Sequence, residues 1–209
     1  YTASDNLDTG LVCNLTLDGR VNKSLSESLN NTVSNFTVSG LAEGVHEWNV
    51  TCIDNASNVN TSATRSLRVD LSGPVILLDR PLNSTWQQSA TVNFKYNVSD
   101  TIGMSQCILY GNFNGTWLAN VSNTSVINNS QLNSTVKMSN GNSSYIWNVE
   151  CNDTLNNKAF ASNNFTFYVD SKKPGVELNS PVDVFNTTNT TINFTYTASD
   201  NLDTGLVCN

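Results

Sequence analysis

The sequence predicts an all-β protein with two antiparallel β-sandwich domains in each period of a tandem repeat. Short segments that alternate apolar and polar residues follow one another, separated by turn residues and without a helical period. Two segments of the chain end on nearly the same string of residues, and the first fourteen residues are identical to the last fourteen. The alternation predicts strands, and the self-similarity predicts how those strands are grouped.

The repeat has a period of 195 residues. The stretch YTASDNLDTGLVCN occupies residues 1–14 and again residues 196–209. It begins inside TTINFTYTASD (190–200), which alternates along its length and is typical of one strand. We therefore interpret the chain as one period plus a short overlap, taken from a longer tandem array. A recent duplication in a chain of ordinary length is the alternative.

Each period contains two related domains. WNVTCID begins at Trp48 and WNVECND at Trp147, and each is followed by an Asn-rich turn, a strand ending in Val-Asp, three residues and a proline. Upstream, TVNFKYNVSD (91–100) is similar to TINFTYTASD (191–200). We predict a domain over 1–73 that lacks its first strand and most of its second, which the preceding repeat supplies. A complete domain follows over 74–173, and 174–209 are the first strands of the next domain.

In the complete domain we predict about seven short strands, the pattern of an antiparallel sandwich. They cover residues 75–78, 91–98, 105–110, one or two weak strands across 116–138, then 145–152 and 160–169. Within WNVEC, alternation places Trp147, Val149 and Cys151 in the core and Asn148 and Glu150 in solvent.

These motifs resemble a known family. The string Tyr-x-Trp-x-Val-x-Cys-x-Asp, the Asn-rich turn and the closing Phe-x-Val-Asp-x-x-x-Pro resemble the immunoglobulin-like repeats of archaeal and bacterial cell-surface proteins and adhesins. The resemblance implies immunoglobulin-like sandwiches and a place on a cell surface. The chain departs from the pattern in two ways: its turns DNASN (54–58) and DTLNN (153–157) lack glycine, and His46 stands where the second domain has Tyr145.

Charge and hydropathy exclude two classes of partner. The net charge is −7, and the ten Lys and Arg residues are scattered singly, so the sequence offers no basic surface for nucleic acid. No apolar run approaches the ~20 residues of a membrane helix, so we expect no membrane span in this segment.

The asparagines follow the glycosylation pattern N-x-S/T. Random placement of the 34 Asn would produce roughly eight such triplets, whereas twenty are present. In several the middle residue is apolar, so that a strand can hold Asn and Thr in solvent and bury the residue between them. We predict export and dense N-glycosylation; the alternative is that Asn and Thr simply suit turns and strand faces. The predicted acceptors are Asn14, Asn22, Asn30, Asn35, Asn49, Asn55, Asn60, Asn83, Asn97, Asn114, Asn120, Asn123, Asn128, Asn133, Asn142, Asn152, Asn164, Asn186, Asn189 and Asn193.

The cysteines predict one disulfide in each domain. Cys208 is the next copy of Cys13, which leaves four cysteines per period, and their matched positions predict the pairs Cys13–Cys52 and Cys107–Cys151. Closing loops of this length restricts the unfolded chain by about 4 kcal/mol each in the loop-entropy model. Such bonds indicate an oxidising, extracellular setting. Buried reduced thiols are the alternative. Cys208 is expected to have no partner in this segment.

The sequence contains little that indicates catalysis. The only histidine, His46, lies in a strand and is best interpreted as a core or surface residue, and the pair Asp5 and Asp8 belongs to a turn. We therefore expect no enzymatic activity and no cofactor. Calcium is the one ligand left open, because aspartates recur at strand ends, where their oxygens suit it. These are Asp5, Asp8, Asp54, Asp70, Asp100, Asp153 and Asp170.

The predicted function is structural: an extended extracellular filament or stalk of tandem domains, whose partners are adjacent copies of the repeat and covalent N-glycans. Short linkers ending in Pro74 and Pro174 should limit the angle between domains, and a constant angle repeated along a chain produces a helix. An adhesin that binds a ligand through exposed aromatics is one alternative, with Trp86 and Trp117 as candidates. A fibre of small subunits joined by strand complementation is another.

Overall fold

The computed structural model describes residues 1–139, 141–203 and 205–208, and within these every regular element is a β-strand. The side chains of Leu25 and Asn142 are also outside the description. The chain divides into two compact units, Tyr1–Ser72 and Gly73–Asn209.

The first unit has seven strands. The short strands β1 and β4 pair with each other, and a second sheet of five strands has the order β3-β2-β5-β6, with β7 also pairing with β5. The strands are β1 (Thr2–Ala3), β2 (Gly10–Leu17), β3 (Arg20–Leu29), β4 (Thr32–Val33), β5 (Gly44–Ile53), β6 (Val59–Thr61) and β7 (Arg65–Val69).

The second unit contains a complete sandwich and a separate hairpin. In the sandwich, a three-stranded sheet in the order β13-β10-β8 packs against a larger sheet in the order β12-β11-β14-β16-β9, with β15 also on β14. The hairpin is formed by β17 and β18. The strands are β8 (Val75–Arg80), β9 (Thr85–Gln87), β10 (Thr91–Ser99), β11 (Met104–Gly111), β12 (Leu118–Asn123), β13 (Ser130–Lys137), β14 (Asn142–Asp153), β15 (Lys158–Phe160), β16 (Phe165–Asp170), β17 (Gly175–Ser180) and β18 (Thr195–Ser199).

The sandwich core centres on one phenylalanine of β10. Alternation along this strand buries every second residue, and Phe94 is completely buried. Its ring lies 4.9 Å from Phe113, 5.0 Å from Trp147 and 5.6 Å from Phe167, centroid to centroid. Phe94 therefore connects the small sheet to two inner strands of the large one, β14 and β16.

The predicted all-β sandwich is confirmed, and its strands differ from the prediction in three places. The predicted strand 160–169 is wrong as a single element, because β15 ends at Phe160 and β16 begins at Phe165. The weak region 116–138 contains two strands, β12 and β13, which lie in different sheets. Strand β9 was not predicted, and it pairs in parallel with β16, whereas the other ladders are antiparallel.

The first unit resembles an opened version of this sandwich. Its five-stranded sheet carries the buried residues Leu11, Cys13, Leu15 and Val50. Opposite it, β1 and β4 form only two residue pairs. Trp48, which corresponds to Trp147 by sequence, is consequently only partly buried.

The hairpin β17–β18 repeats the pairing of β8 with β10. Tyr96 pairs with Leu78 and Ser99 with Val75; one hundred residues later, Tyr196 pairs with Leu178 and Ser199 with Gly175. The register shift also recurs, just before Tyr96 in one ladder and just before Tyr196 in the other. The division of 74–209 into a complete domain and the first strands of another stays a prediction.

We predict that Phe94→Ala destabilises the sandwich by about 3–5 kcal/mol, because it removes a fully buried ring and leaves a cavity between the sheets. Leu77→Ala is the matched control, since Leu77 lies on the adjacent strand β8 with its side chain exposed. It should change the free energy of unfolding by less than about 1 kcal/mol. Urea unfolding followed by circular dichroism measures both. Equal effects would contradict the central role of Phe94.

Candidate functional site

Both disulfides join strands within one sheet. Cys107 and Cys151 are directly paired residues of β11 and β14, and Cys13 and Cys52 are directly paired residues of β2 and β5. These are the pairs that the repeat predicts. In antibody domains, by contrast, the disulfide connects the two sheets. Cys208 is exposed and free.

Three of the triplets with an apolar middle residue lie in the predicted orientation, two in the first unit and one in the closed sandwich. Leu15, Val50 and Val98 are buried, each between a sequon Asn and a Thr or Ser that lie on the opposite strand face. Phe194 of the triplet Asn193–Thr195 departs from this, because its side chain is 74% exposed. The same sequence pattern therefore meets two different environments.

Twelve of the predicted acceptors present exposed side chains. They are Asn22, Asn35, Asn55, Asn60, Asn83, Asn97, Asn114, Asn133, Asn164, Asn186, Asn189 and Asn193. Seven more are partly buried: Asn14, Asn30, Asn49, Asn120, Asn123, Asn128 and Asn152. The side chain of Asn142 lies outside the described residues.

Two of the partly buried acceptors use both hydrogens of the amide nitrogen in the fold. The Nδ2 of Asn30 donates to the carbonyl oxygens of Asp5 and Asp8, both at 2.7 Å. The Nδ2 of Asn120 donates to the carbonyl oxygens of Gly111 at 3.0 Å and Leu118 at 2.7 Å. An N-linked sugar replaces one hydrogen on this nitrogen, so each modification would remove one of these bonds.

The aspartates at strand ends hold turns together. Oδ1 of Asp5 accepts the backbone N–H groups of Leu7 and Asp8, and Asp100 makes the same contacts with Ile102 and Gly103. The backbone N–H groups of Asp8 and Leu7 lower the pKa of Asp5 below its ordinary value. These are the local bonds that favour Asp in turns.

The remaining aspartates also accept hydrogen bonds. Asp54 and Asp153 each bind the backbone N–H and the Nδ2 of an asparagine four residues on, and Asp8 binds both groups of Asn55. Asp70 and Asp170 each accept the N–H of the residue two positions later. These hydrogen bonds explain why aspartate occupies these turn positions.

Calcium binding stays a prediction, and one pair of aspartates would favour it. Within the second unit, carboxylate oxygens of Asp100 and Asp153 lie within 4.8 Å of each other, and such oxygens are the ligands that Ca²⁺ prefers. A rise in melting temperature with added Ca²⁺ that Asp100→Asn removes would establish a site.

The side chain of His46 forms an ion pair with the carboxylate of Asp18. Its Nδ1 lies 2.8 Å from Oδ2 of Asp18, and its Nε2 lies 2.9 Å from the carbonyl oxygen of Ala42. Because both acceptors favour a protonated ring, the Ala42 carbonyl and the Asp18 carboxylate raise the pKa of His46 above its ordinary value. In turn, the hydrogen bond from His46 lowers the pKa of Asp18. The pair fastens the β2–β3 turn to the start of β5.

The two candidate binding tryptophans lie on the surface of the second unit. Trp86 stacks on Tyr168 at 4.8 Å between ring centroids, and 56% of its surface is exposed. Trp117 is also exposed and stacks on Tyr110 at 6.2 Å, and Phe160 makes an edge contact with Tyr110 at 5.2 Å between ring centroids. Both tryptophans are therefore surface residues that stack on a neighbouring tyrosine, and Trp86 does so from strand β9.

Comparison with known proteins identifies the fold and no family. No protein-family model and no curated protein matches the chain. Among solved structures, the chain is similar to a 1.5-MDa bacterial ice-binding adhesin, with 17% identity and a TM-score of 0.50 over 85% of this chain. The match spans 59% of that structure. At this identity the likeness shows the shared β-sandwich fold.

Two further structures are more distant. The fibronectin(III)-like modules of Clostridium thermocellum CbhA match with 10% identity and a TM-score of 0.38, covering 80% of this chain and 82% of theirs. A tetra-tandem repeat from the extending region of a large adhesion protein matches with 16% identity and a TM-score of 0.41, covering 83% and 45%. The β-sandwich fold expected from the sequence resemblance is confirmed, whereas the assignment to the repeats of archaeal and bacterial surface proteins stays a prediction.

We predict that the contribution of the His46–Asp18 pair to stability falls as the pH rises. A histidine whose pKa is raised in the folded state stabilises fully below its unfolded pKa of about 6.5, and this stabilisation is lost as the pH passes through the folded pKa. Asp18 stays ionised throughout that range, because its pKa is lowered. Hydrogen exchange of β5, corrected for the intrinsic pH effect, should show weaker protection at pH 8.5 than at pH 5.5.

The control for this measurement is His46→Tyr, which places the residue of the second domain at the same position. Tyrosine does not titrate in this interval, so the pH dependence should largely disappear. An unchanged slope in the variant would show that another group is responsible.

We predict low glycan occupancy at Asn30 and Asn120 and high occupancy at Asn97 and Asn133, whose side chains are exposed. Each hydrogen bond lost at the first two sites costs about 0.5–1.5 kcal/mol, which disfavours a modified folded state. Glycopeptide mass spectrometry of the native protein measures occupancy. Full modification at Asn30, with unchanged thermal stability after the sugar is removed, would contradict the prediction.

Proposed function

We propose that this chain is one period, with a short overlap, of a structural component of an extracellular, heavily N-glycosylated filament or stalk. The filament is built from tandem β-sandwich domains in a continuous polypeptide. The observation that carries the proposal is the identity of residues 1–14 and 196–209, together with the repeat of the β8–β10 pairing in β17–β18. A protein that reuses the same strand sequence at a fixed interval is typical of a linear array.

Disulfides and sequons support an extracellular location. Each of the first two predicted domains carries one disulfide, and such bonds persist in oxidising compartments. The excess of N-x-S/T triplets is expected of a surface that meets a glycosylation machinery. The similar bacterial adhesin is described in terms of retention at a host cell surface, which is consistent with this location.

The proposed partners are adjacent copies of the repeat and covalent N-glycans. The net charge of −7 argues against nucleic acid. No helix among the described residues has the length and apolarity needed to cross a membrane. We expect no enzymatic activity, because the single histidine is engaged in a structural ion pair.

The glycans have a physical role in this proposal. Four strands at sheet edges carry sequons: β3 with Asn22, β6 with Asn60, β12 with Asn123 and β13 with Asn133. An open edge exposes unpaired backbone groups that can join the strand of another molecule. Bulky sugars beside these edges would keep neighbouring filaments from pairing edge to edge.

A ligand-binding adhesin is the second candidate. The specific observation in its favour is the exposure of Trp86 and Trp117, since an exposed aromatic face can stack against a ligand such as a sugar ring. Loss of cell or glycan adhesion in Trp117→Ala, with the filament intact, would establish this reading.

The size of the polypeptide distinguishes a continuous array from a fibre of small subunits. We predict that the purified polymer, after boiling in detergent with reductant and chemical deglycosylation, runs far above the 22.7 kDa of this chain. Its peptides should read without interruption through TINFTYTASDNLDTGLVCNLTLDG. A species near 22.7 kDa would show that separate subunits polymerise, and the continuous-array proposal would be wrong.

A further inference from the structure

The hairpin β17–β18 matches β8 and β10 of the sandwich in sequence and register. Its large apolar side chains are exposed, whereas those of β10 are buried. Phe94 and Tyr96 on β10 are 0% and 1% exposed, whereas the corresponding Phe194 and Tyr196 are 74% and 52% exposed. Leu178 on β17 is also exposed, although Leu78 on β8 packs against the sandwich core. Among the described residues, the apolar face of the hairpin is therefore not covered by a second sheet, whereas the corresponding face of β8 and β10 is covered in the closed sandwich.

The first unit has the complementary gap. In the closed sandwich, β10 pairs along its length with β13, and Tyr96 lies opposite Leu132. In the first unit, Tyr1 takes the place of Tyr96 and exchanges backbone hydrogen bonds with Ser34 at 2.9 and 3.0 Å. The pairing of Tyr1 with Ser34 thus corresponds to the pairing of Tyr96 with Leu132.

The segment that would pair with the counterparts of residues 92–95 has the residue pattern of a strand. Residues 35–38 form no strand, yet Asn35 and Thr37 are exposed while Phe36 and Val38 are partly buried, the alternation of a strand. Phe36 and Val38 line an apolar groove together with Leu15, Leu17, Trp48 and Leu67. The groove lies over Trp48, the counterpart of the tryptophan that Phe94 contacts in the closed sandwich.

We propose that the hairpin segment of a second copy of this repeat completes the first unit by pairing with residues 35–39 in one defined register. Transferred from the β10–β13 ladder, this register places Thr195 opposite Asn35, Phe194 opposite Phe36, Asn193 opposite Thr37, Ile192 opposite Val38 and Thr191 opposite Ser39. Phe194 then enters the groove above Trp48. The inference rests on the proposed tandem array and names the contact between its consecutive copies.

The repeated fourteen residues indicate how donor and acceptor are connected. Tyr196 follows the donated strand directly and is the same residue in the repeat as Tyr1, which already occupies the end of the acceptor ladder. In a continuous chain, Tyr196 of one copy is the same residue as Tyr1 of the next copy, so the donated strand continues directly into the acceptor ladder. In separate chains, residues 196–209 of the donor and 1–14 of the acceptor would compete for one place.

The test supplies the missing segment in trans. A synthetic peptide of residues 174–195 avoids that competition, and it is added to the 209-residue chain made in a host without N-glycosylation. The chain carries Cys208→Ser, which removes the free thiol. Cysteines are placed on the outward face of the expected ladder: Thr37→Cys or Ser39→Cys in the chain, and Asn193→Cys or Thr191→Cys in the peptide.

We expect the matched pairs, 193 with 37 and 191 with 39, to form disulfides at least roughly tenfold faster than the crossed pairs, because a buried face specifies strand register. Phe194→Ser in the peptide should abolish the preference, because it removes the ring that fills the groove. Equal rates for all four pairs, or no cross-linking in any, would overturn the inference.

The outcome separates this inference from the proposed function. If the native polypeptide is long and continuous but the peptide shows no register preference, the docking is wrong and the array stands. If the matched pairs form while the native polymer dissociates to 22.7-kDa species, the docking stands and the continuous array is wrong.

Discussion

The packing of Phe94 against Trp147 is the contact on which the closed sandwich depends. A sheet with one apolar face must cover that face with a second layer. Phe94 brings the small sheet onto β14, where Trp147 is buried four residue pairs from the Cys107–Cys151 bridge. The disulfide holds β11 to β14 within one sheet, so the attraction between the sheets depends on the packed core side chains, among which Trp147 and Phe94 are two of the largest.

The first unit illustrates what happens when that contact is missing. It keeps its disulfide and its five-stranded sheet, because those interactions lie within one layer. Trp48 remains partly exposed over a groove, because no ring equivalent to Phe94 covers it within the unit. Strand pairing and disulfide bonding are thus separable from closure of the core, and in our proposal a neighbouring repeat supplies that closure.

The outer surface follows from the same alternation that builds the core. Residues such as Asn97 and Asn133 point outward because Val98 and Leu132 point inward. A strand that buries its apolar residues therefore presents asparagine and threonine at a regular spacing. For a filament, this combines the pattern needed for folding with the pattern needed for glycosylation.

Much of this organisation could be predicted from sequence because it depends on local spacing. Alternation identified β8, β10, β11 and β14, and the repeat identified the partners of Cys13 and Cys107. Other features depend on contacts between distant segments. The parallel pairing of β9 with β16, the break between Phe160 and Phe165, and the use of Asn30 to hold the loop of Asp5 were decided by tertiary structure. Phe94 and Phe194 stand in nearly the same local sequence, and only the presence or lack of an opposing sheet decides which of them is buried.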